Sequence, residues 1–115
     1  MKVISFAWTT KALCDGKKDM TRRDWKDSHA KMFKKGDVVA AYDRLPYHGG
    51  KKVAEIVLTK DPYRQRLRDM PESDLKREGG LWYDQREFIQ LFGGDENKRP
   101  YVVEFKKVKD CGCKT

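Results

Sequence analysis

The fold assignment starts from Gly16-Lys17-Lys18-Asp19-Met20-Thr21-Arg22-Arg23-Asp24-Trp25. Five of these ten residues are Lys, Arg or Thr, whose side chains donate hydrogen bonds to phosphate or carbonyl oxygens. A short helix capped by Thr9 or Thr10 is expected to end at Gly16, and residues 19–23 are expected to form a short strand or extended turn. The segment therefore places a group of hydrogen-bond donors between a helix end and a strand.

Lys18 and Thr21 form a Lys-x-x-Thr pair with a chemical interpretation. A threonine hydroxyl attacks a carbonyl only after a base removes its proton, and a lysine serves as that base only when its pKa is lowered. The neighbouring cations Lys17, Arg22 and Arg23 disfavour the ammonium form and so lower that pKa. Residues 18 and 21 of a regular strand point to opposite faces, so the pair requires Lys18 to lie in the turn before the strand.

Outside this segment, glycine, proline and capping residues divide the chain into short elements. Strands at both ends and in the middle, with helices between them, are typical of an α+β domain. We expect a small mixed β-barrel with helices packed on its outside. Strands are predicted at residues 2–8, 38–42, 53–58 and 101–108, and the strands at 38–42 and 53–58 are expected to form a hairpin. Helices are predicted at residues 24–35, after residue 69 and after residue 84.

Two of these helix starts are predicted from capping-box spacing, at Asp69 and at Asp84, each with a glutamate three residues on. At the second, Tyr83 is expected to pack on Phe88 as a hydrophobic staple. The buried face of that helix is expected to consist of four apolar residues: Phe88, Ile89, Leu91 and Phe92.

The composition limits the class of protein. The chain has 115 residues, 38% hydrophobic and 38% charged, whereas a globular chain has about 45–50% apolar and about 25% charged residues. Such a chain can form one domain, predicted over residues 1–108, with a tail at 109–115. No apolar run reaches the roughly 20 residues of a membrane span, and residues 3–8 are too short for a secretory signal. We therefore expect neither a membrane protein nor a secreted one.

The three cysteines do not predict a disulfide framework, because Cys111 and Cys113 are crowded in the tail and Cys14 is far from them in sequence. A closed zinc site needs four ligands, and only Cys14, His29 and His48 are available to complete one with the tail. No metal and no cofactor is therefore predicted. The cysteine usage is typical of a reducing compartment, so a cytoplasmic protein is expected. A monomer is the favoured oligomeric state.

Positive charge is concentrated in the first half of the chain. The formal net charge is +8, and residues 1–60 carry 14 Lys and Arg against 7 Asp and Glu, while residues 61–115 carry 12 against 11. A one-sided positive field concentrates polyanions, of which nucleic acid is the commonest. The alternative is a solvated basic surface with no specific partner, and composition alone does not separate the two.

Five motifs stand out along the chain: Gly-Lys-Lys-x-x-Thr-Arg-Arg at 16–23 after a short helix, Phe-Lys-Lys-Gly-Asp-Val-Val at 33–39 before a strand, Val-Ala-Glu-Ile at 53–56, Glu-Gly-Gly at 78–80 and Tyr-Val-Val-Glu-Phe at 101–105. Together they resemble an ASCH domain, over about residues 2–108. The resemblance implies a PUA-like fold, a small β-barrel with flanking helices, and an association with RNA.

Some small bacterial ASCH proteins are N4-acetylcytidine amidohydrolases, which release acetate from the exocyclic amine of the modified nucleoside. Their catalytic lysine and threonine lie three residues apart in a Gly-x-Lys-x-x-Thr-x-Arg segment, and a glutamate follows downstream. The resemblance implies Thr21 as nucleophile, Lys18 as proton acceptor and Glu78 as proton donor. This chain departs from the pattern in detail, with Asp19-Met20 between the pair and Arg22 directly after the threonine.

Six further residues are candidates for binding a substrate or RNA: Arg22, Arg23, Trp25, Tyr42, Gly79 and Trp82. The arginines suit an oxyanion or a phosphate, the aromatic rings can stack on a pyrimidine, and a glycine lets the backbone approach a ligand closely. Each candidate also has an ordinary structural interpretation. The tryptophans can anchor the core or its rim, the arginines can pair with Asp19 and Asp24, and Glu78 can belong to the last turn of a helix. Equally, Lys18 can be a solvated lysine and Thr21 a plain strand residue.

Three functions are compatible with these residues. The first is a hydrolase that cleaves the acyl amide of a modified nucleoside such as N4-acetylcytidine. The second is a non-catalytic RNA-binding module, whose affinity should fall steeply with salt. The third is a ribonuclease that uses Lys18 as its acid–base group, and the residues alone do not separate it from the first.

Overall fold

The computed structural model describes residues 2–110 of the chain, with side chains described for residues 2–108. It is an α+β fold that combines one sheet with short helices. The strands are β1 (Val3–Ser5), β2 (Met20–Arg23), β3 (Val38–Tyr42), β4 (Lys52–Leu58), β5 (Tyr63–Arg64) and β6 (Tyr101–Asp110). The α-helices are α1 (Thr10–Cys14), α2 (Asp27–Ala30), α3 (Asp74–Arg77) and α4 (Gln85–Ile89). Short 3₁₀ helices lie at Ala7–Thr9, Pro46–His48, Leu67–Asp69 and Gln90–Phe92.

The long strand β6 holds the sheet together. Its N-terminal part pairs antiparallel with β2, placing Met20 opposite Glu104, and β5 pairs with the same part. Its C-terminal part pairs antiparallel with β4, which forms a hairpin with β3, and β3 pairs in parallel with β1. The strand order is therefore β1-β3-β4-β6-β2.

The α+β class, with a mixed sheet and short helices, is confirmed, but the sheet that the structure describes is not closed into the small β-barrel that was predicted. Within residues 2–110, β1 and β2 stand at opposite ends of the strand order and are not hydrogen-bonded to each other. A closed barrel requires the first and last strands of the sheet to be joined by backbone hydrogen bonds. The strand predicted at 2–8 stops after three residues, because the backbone turns into the 3₁₀ helix at Ala7, whose φ is +47°.

Two local predictions are confirmed. The strands predicted at 38–42 and 53–58 form the β3–β4 hairpin. The chain leaves helix α1 at Gly16, two residues after Cys14, where φ is +75°. The amide of Gly16 donates to the carbonyl of Leu13 at 3.1 Å and the amide of Lys17 donates to that of Ala12 at 2.9 Å. This is the Schellman pattern of helix termination, and it directs the chain into β2.

The helix predicted at 24–35 is reduced to the four residues of α2. No side chain caps its start at Lys26. Ala30 and Phe33 are buried, but Met32 is 54% exposed. Because the apolar residues do not form a continuous stripe, packing stabilises only one helical turn here.

The two predicted capping boxes have different outcomes. Asp84 caps α4 as expected, since its Oδ1 accepts a hydrogen bond from the amide of Glu87 at 2.9 Å. The start predicted at Asp69 is wrong, because this residue ends a 3₁₀ helix and α3 begins only at Asp74. The reason is Pro71: the residue before a proline is driven out of the helical region, and Met70 has a ψ of 123°.

Helix α4 also corrects two predictions of burial. Tyr83 is 91% exposed, so it forms no hydrophobic staple with Phe88. Phe88 and Ile89 are buried as expected, whereas Leu91 is 51% exposed. Leu91 lies beyond α4, in the 3₁₀ helix Gln90–Phe92, so it does not belong to the buried face that Phe88 and Ile89 share.

The buried apolar residues form two clusters. The first cluster lies among strands β1, β3, β4 and β6 with α1, and the second cluster joins α3 and α4 to the segment before them. The first cluster consists of Ile4, Phe6, Leu13, Phe33, Val39, Ala41, Ala54, Ile56, Leu58, Val103 and Phe105. The second cluster consists of Leu67, Met70, Leu75, Phe88 and Ile89.

The C-terminal part differs from the predicted boundary. Strand β6 continues to Asp110, two residues beyond its predicted end, and Cys111 and Cys113 lie outside the described residues. Cys14, the last residue of α1, is disulfide-bonded, which the cysteine count did not predict. Within residues 2–110 every helix is too short to cross a membrane.

Candidate active site

Lys18 lies just before β2, at the position that the Lys-x-x-Thr interpretation required. It forms an isolated antiparallel bridge with Glu78, and the amide of Asp19 donates to the carbonyl of Arg77 at 2.9 Å. These backbone contacts bring the start of β2 against the end of α3. Two segments 60 residues apart in sequence therefore meet at one point.

Glu78 is placed by the way α3 ends. The amide of Gly79 donates to the carbonyl of Lys76 at 3.0 Å, and the amide of Gly80 donates to that of Leu75 at 2.9 Å. This is again a Schellman pattern, with Glu78 as the helix C-cap. Glu78 does belong to a helix end, and it is also 2% exposed.

Glu78 accepts hydrogen bonds from two cations. Its Oε1 lies 3.1 Å from Nζ of Lys18, which also donates to the Glu78 carbonyl at 2.8 Å. Its Oε2 accepts from Nη1 of Arg22 at 2.8 Å. A buried carboxylate remains stable in the folded protein only when such partners replace its water shell. Lys18 is therefore a buried, paired cation and not a solvated lysine.

Arg22 uses both of its terminal nitrogens in contacts with the protein. Its Nη2 donates to Asp74 at 2.7 Å and to Gln65 at 2.6 Å, and Nη1 also contacts the Met20 sulfur at 3.2 Å. Its Nε is buried and has no hydrogen-bond partner within the described residues. Sequence reasoning did not select Asp74 or Gln65. For Asp74 a signal existed, because it precedes Glu78 by four residues and so lies on the same face of α3.

Arg23 and Thr21 form the second half of the site. Nε of Arg23 donates to Oγ1 of Thr21 at 3.0 Å, as expected for neighbours on one face of a strand. The Arg23 guanidinium lies 5.2 Å from the centre of the Phe6 ring. Burial lowers the pKa of Arg23 to about 10, while the Glu78 carboxylate opposes that change, so the group stays charged at neutral pH. Its two terminal nitrogens make no hydrogen bond to any described residue.

The ammonium of Lys18 is disfavoured where it lies. Burial is the main cause that lowers the pKa of Lys18 below its ordinary value of 10.5. The charge and hydrogen bond of Glu78 oppose this shift, and the nearby Arg23 and Arg22 add to it. A lysine with a lowered pKa has a larger neutral fraction and is a better proton acceptor.

These groups line a cavity of about 280 Å³ between the two hydrophobic clusters. Of the residues selected from the sequence, six line it: Lys18, Thr21, Arg22, Arg23, Glu78 and Trp82. Its aromatic wall includes Phe6, Trp8, Phe88 and Phe92, which the sequence interpretation did not assign to the site. The Trp82 ring is edge-on to Phe88 at 4.7 Å and to Trp8 at 5.6 Å. The charged side chains of Lys18, Arg23 and Glu78 thus line the same cavity as these aromatic rings.

The other three selected residues do not line this cavity. Trp25 stacks on Phe33 at 4.6 Å and packs against the first cluster, as in its structural interpretation. Tyr42 ends β3 and its carbonyl accepts from the amide of Phe6 at 2.8 Å. Gly79 has a φ of +128°, and a Cβ added there would lie 3.1 Å from Ala12. Among residues 2–110 no group of three or more His, Cys, Asp and Glu side chains is placed to hold a metal ion.

No family model matches the sequence, and no curated protein matches it either. Among solved structures, the chain is similar to the crystal structure of protein EF3133 from Enterococcus faecalis V583, which is described as DUF984. The TM-score is 0.68 at 15% sequence identity, and the match covers 96% of this chain and 81% of that chain. The two proteins therefore share a fold.

Proposed function

We propose that this protein is an ASCH-type domain of the PUA-like class that acts as an amidohydrolase. Its substrate is a modified nucleoside carrying an acyl amide, such as N4-acetylcytidine. One observation carries the proposal: an ammonium with a lowered pKa, a threonine hydroxyl and a buried carboxyl group line one cavity. An amidohydrolase of this kind needs a base, a nucleophile and a proton donor.

In the proposed reaction, neutral Lys18 takes the proton of the Thr21 hydroxyl, and Oγ1 attacks the acyl carbon. The free nitrogens of Arg23 stabilise the oxyanion that forms. The C–N bond then breaks as Glu78, which accepts a hydrogen bond from Nζ of Lys18, relays the proton that Lys18 took up to the departing exocyclic amine. Lys18, neutral again, removes a proton from water, which attacks the resulting threonine ester. The ester bond breaks, the proton held by Lys18 passes to Oγ1, and the carboxylic acid is released.

The hydrogen bonds of Lys18 and Thr21 indicate one rearrangement in this cycle. Nζ of Lys18 donates to Glu78, and Oγ1 of Thr21 accepts from Arg23. Proton transfer therefore requires Nζ to turn from Glu78 towards Thr21 when the substrate binds. Catalytic hydrogen bonds commonly tighten only in the complex.

The size and lining of the cavity favour a small planar substrate. Its volume of about 280 Å³ is near the lower limit of small-molecule sites, about 300 Å³. Trp82 and Phe88 offer aromatic surface to a pyrimidine ring, and Arg23 offers donors to an acyl oxygen. This combination suits a small planar amide better than a peptide or a lipid.

The test is turnover of N4-acetylcytidine, with cytidine and acetate followed by chromatography. Thr21→Ala should lose at least about 100-fold in kcat/KM, because it removes the nucleophile. Thr59→Ala is the matched control, since Thr59 is exposed and lies outside the cavity. Equal turnover by wild type and Thr21→Ala would exclude the threonine mechanism, and no turnover by wild type would exclude the substrate.

A non-catalytic RNA-binding role is the second candidate. It is favoured by the positive charge of residues 1–60 and by the unpaired nitrogens of Arg23 in the cavity. A ribonuclease would use the same Lys18 as acid–base group. Analysis of RNA products, with Lys18→Ala as the inactive reference, distinguishes the two: binding without cleavage favours the module, and cleavage lost in Lys18→Ala favours the nuclease.

A further inference from the structure

Arg22 lines the cavity, yet the proposed chemistry gives it no role. Its side chain is 0% exposed, and its terminal nitrogens donate to Glu78, Asp74 and Gln65. A buried guanidinium with three acceptors cannot turn towards a substrate without leaving carboxylates unpaired, which is unfavourable. Arg22 is therefore suited to act on the protein's own groups.

We infer that Asp74 is a positioning residue, which acts through Arg22 on the Lys18–Glu78 pair. The inference rests on the proposed function and extends it to a residue outside the cavity wall, since neither Asp74 nor Gln65 lines the cavity. Two consequences of the contact between Asp74 and Arg22 support it: the orientation of the Glu78 carboxylate and the charge that acts on Lys18.

The two carboxylate oxygens of Glu78 have different partners. Oε1 lies 3.1 Å from Nζ of Lys18, and Oε2 accepts from Nη1 of Arg22 at 2.8 Å. Because Arg22 occupies Oε2, the proton relayed from Lys18 passes to Oε1. A guanidinium is planar and holds its donors in a fixed geometry, so the position of Nη1 depends on the acceptors of Nη2. These are Asp74 at 2.7 Å and Gln65 at 2.6 Å.

The unpaired Nε of Arg22 indicates which contacts determine its orientation. This nitrogen is buried and has no hydrogen-bond partner within the part of the chain that the structure describes. A buried donor without a partner is unfavourable, so the side chain keeps this orientation because its terminal nitrogens are held elsewhere. Asp74 starts α3 and Glu78 is its C-cap, so one short helix presents both carboxylates to one guanidinium.

The contact with Asp74 also affects the charge of Lys18. The charged side chains that act on the Lys18 ammonium come from the end of α3 and from β2, and they are Glu78, Arg23 and Arg22. Burial is the main cause of the lowered pKa of Lys18, and Arg22 adds to it. The Asp74 carboxylate, 2.7 Å from Nη2, offsets part of the positive charge of Arg22. Without Asp74, the pKa of Lys18 should therefore fall further.

Gln65 and Tyr63 are the uncharged neighbours of this contact. The hydroxyl of Tyr63, on β5, donates a hydrogen bond to Glu104 at 2.8 Å. Burial, together with this hydrogen bond, raises the pKa of Tyr63 to about 12. Both side chains thus stay neutral while Lys18 titrates, so a change in the Lys18 midpoint can be assigned to Asp74 and Arg22.

The first test measures the titration of Lys18 directly, by NMR of its Cε signal, which needs no substrate. The signal is assigned from its absence in Lys18→Arg. Asp74→Asn should move the midpoint to lower pH by about 0.5 unit or more, since it leaves the charge of Arg22 unopposed. Gln65→Glu adds a carboxylate beside Nη2 and should raise the midpoint. A role in folding alone would not produce opposite shifts.

Asp27→Asn is the matched control, because an arginine also holds this carboxylate at 2.7 Å, on the surface and outside the cavity. It should leave the Lys18 midpoint in place. If Asp74→Asn and Gln65→Glu also leave it in place, or both move it in one direction, the inference is overturned. Should Asp74→Asn not fold, the direction of the shift in Gln65→Glu decides alone.

Hydrolysis of N4-acetylcytidine separates this inference from the proposed function. Asp74→Asn should lower the limiting kcat, measured above the Lys18 midpoint, at least about tenfold and change KM by less than about threefold. The reason is that Asp74 acts on the proton relay and does not touch the substrate. A raised KM with an unchanged kcat would contradict the inference. If wild type does not hydrolyse the nucleoside but the two midpoints shift as expected, the coupling of Asp74 to Lys18 stands and the hydrolase proposal fails.

Discussion

Lys18 combines two properties that oppose each other. Burial disfavours its charged form, while Glu78 on one side favours it. From the sequence, neighbouring cations were expected to lower its pKa, but burial is the larger cause. The chemistry proposed for this residue therefore depends on the closed environment between β2 and α3.

This environment predicts the pH dependence of hydrolysis. Below its pKa in the folded protein, Lys18 is protonated and cannot accept the Thr21 proton, so kcat/KM should rise with pH as it deprotonates. Because that pKa is lowered, the midpoint of the rise should lie below 10.5. The measurement is a pH profile of kcat/KM for N4-acetylcytidine. A profile without a rising limb, or a midpoint at or above the ordinary lysine value, would contradict the assignment.

Glu78 is the residue on which the buried charges depend. Glu78→Gln leaves Lys18 and Arg22 without their shared carboxylate, and removing one partner of a buried ion pair costs about 3–5 kcal/mol. Urea denaturation should show a loss of that size in the free energy of unfolding. Glu87→Gln, at an exposed position of α4, should change it by less than about 0.5 kcal/mol. Equal stability of the two variants would show that the cluster is not energetically coupled to folding.

At the scale of elements, most helices here have only one turn and depend on their ends. Asp84→Ala removes the hydrogen bond to the Glu87 amide and should destabilise the protein by about 1 kcal/mol. Asp69→Ala is the informative comparison, because the same sequence pattern surrounds it but no side chain caps its 3₁₀ helix. Thermal unfolding should detect a lower Tm for Asp84→Ala alone. A similar loss in both variants would contradict the two structural assignments.

At the scale of the whole molecule, the two hydrophobic clusters meet at the cavity and should unfold together. Leu67 is fully buried in the second cluster, so Leu67→Ala should cost about 2–5 kcal/mol. Hydrogen exchange should show reduced protection in β4 of the first cluster as well as in α4, because a chain of this size unfolds cooperatively. Leu91→Ala, at a half-exposed position, is the control. Loss of protection confined to α3 and α4 would show two independent units.

Short-range features could be predicted from the sequence. The end of α1 at Gly16, the Asp84 cap and the β3–β4 hairpin depend on residues close together in the chain. A capping hydrogen bond or a positive φ involves only a few neighbouring residues, so the residue types themselves are sufficient to indicate it. The position of Lys18 before β2 was likewise readable, from the opposite faces of residues 18 and 21.

Only the tertiary structure decided the contacts between distant segments. The open order of the sheet, the exposure of Tyr83 and the engagement of Arg22 by Asp74 and Gln65 all involve residues far apart in sequence. A side chain is buried only when another helix or strand covers it. Several packing arrangements of helices and strands are compatible with the same local sequence pattern. Six residues of the candidate site could thus be selected from the chain, while the cavity that they line exists only once β2 packs against the end of α3.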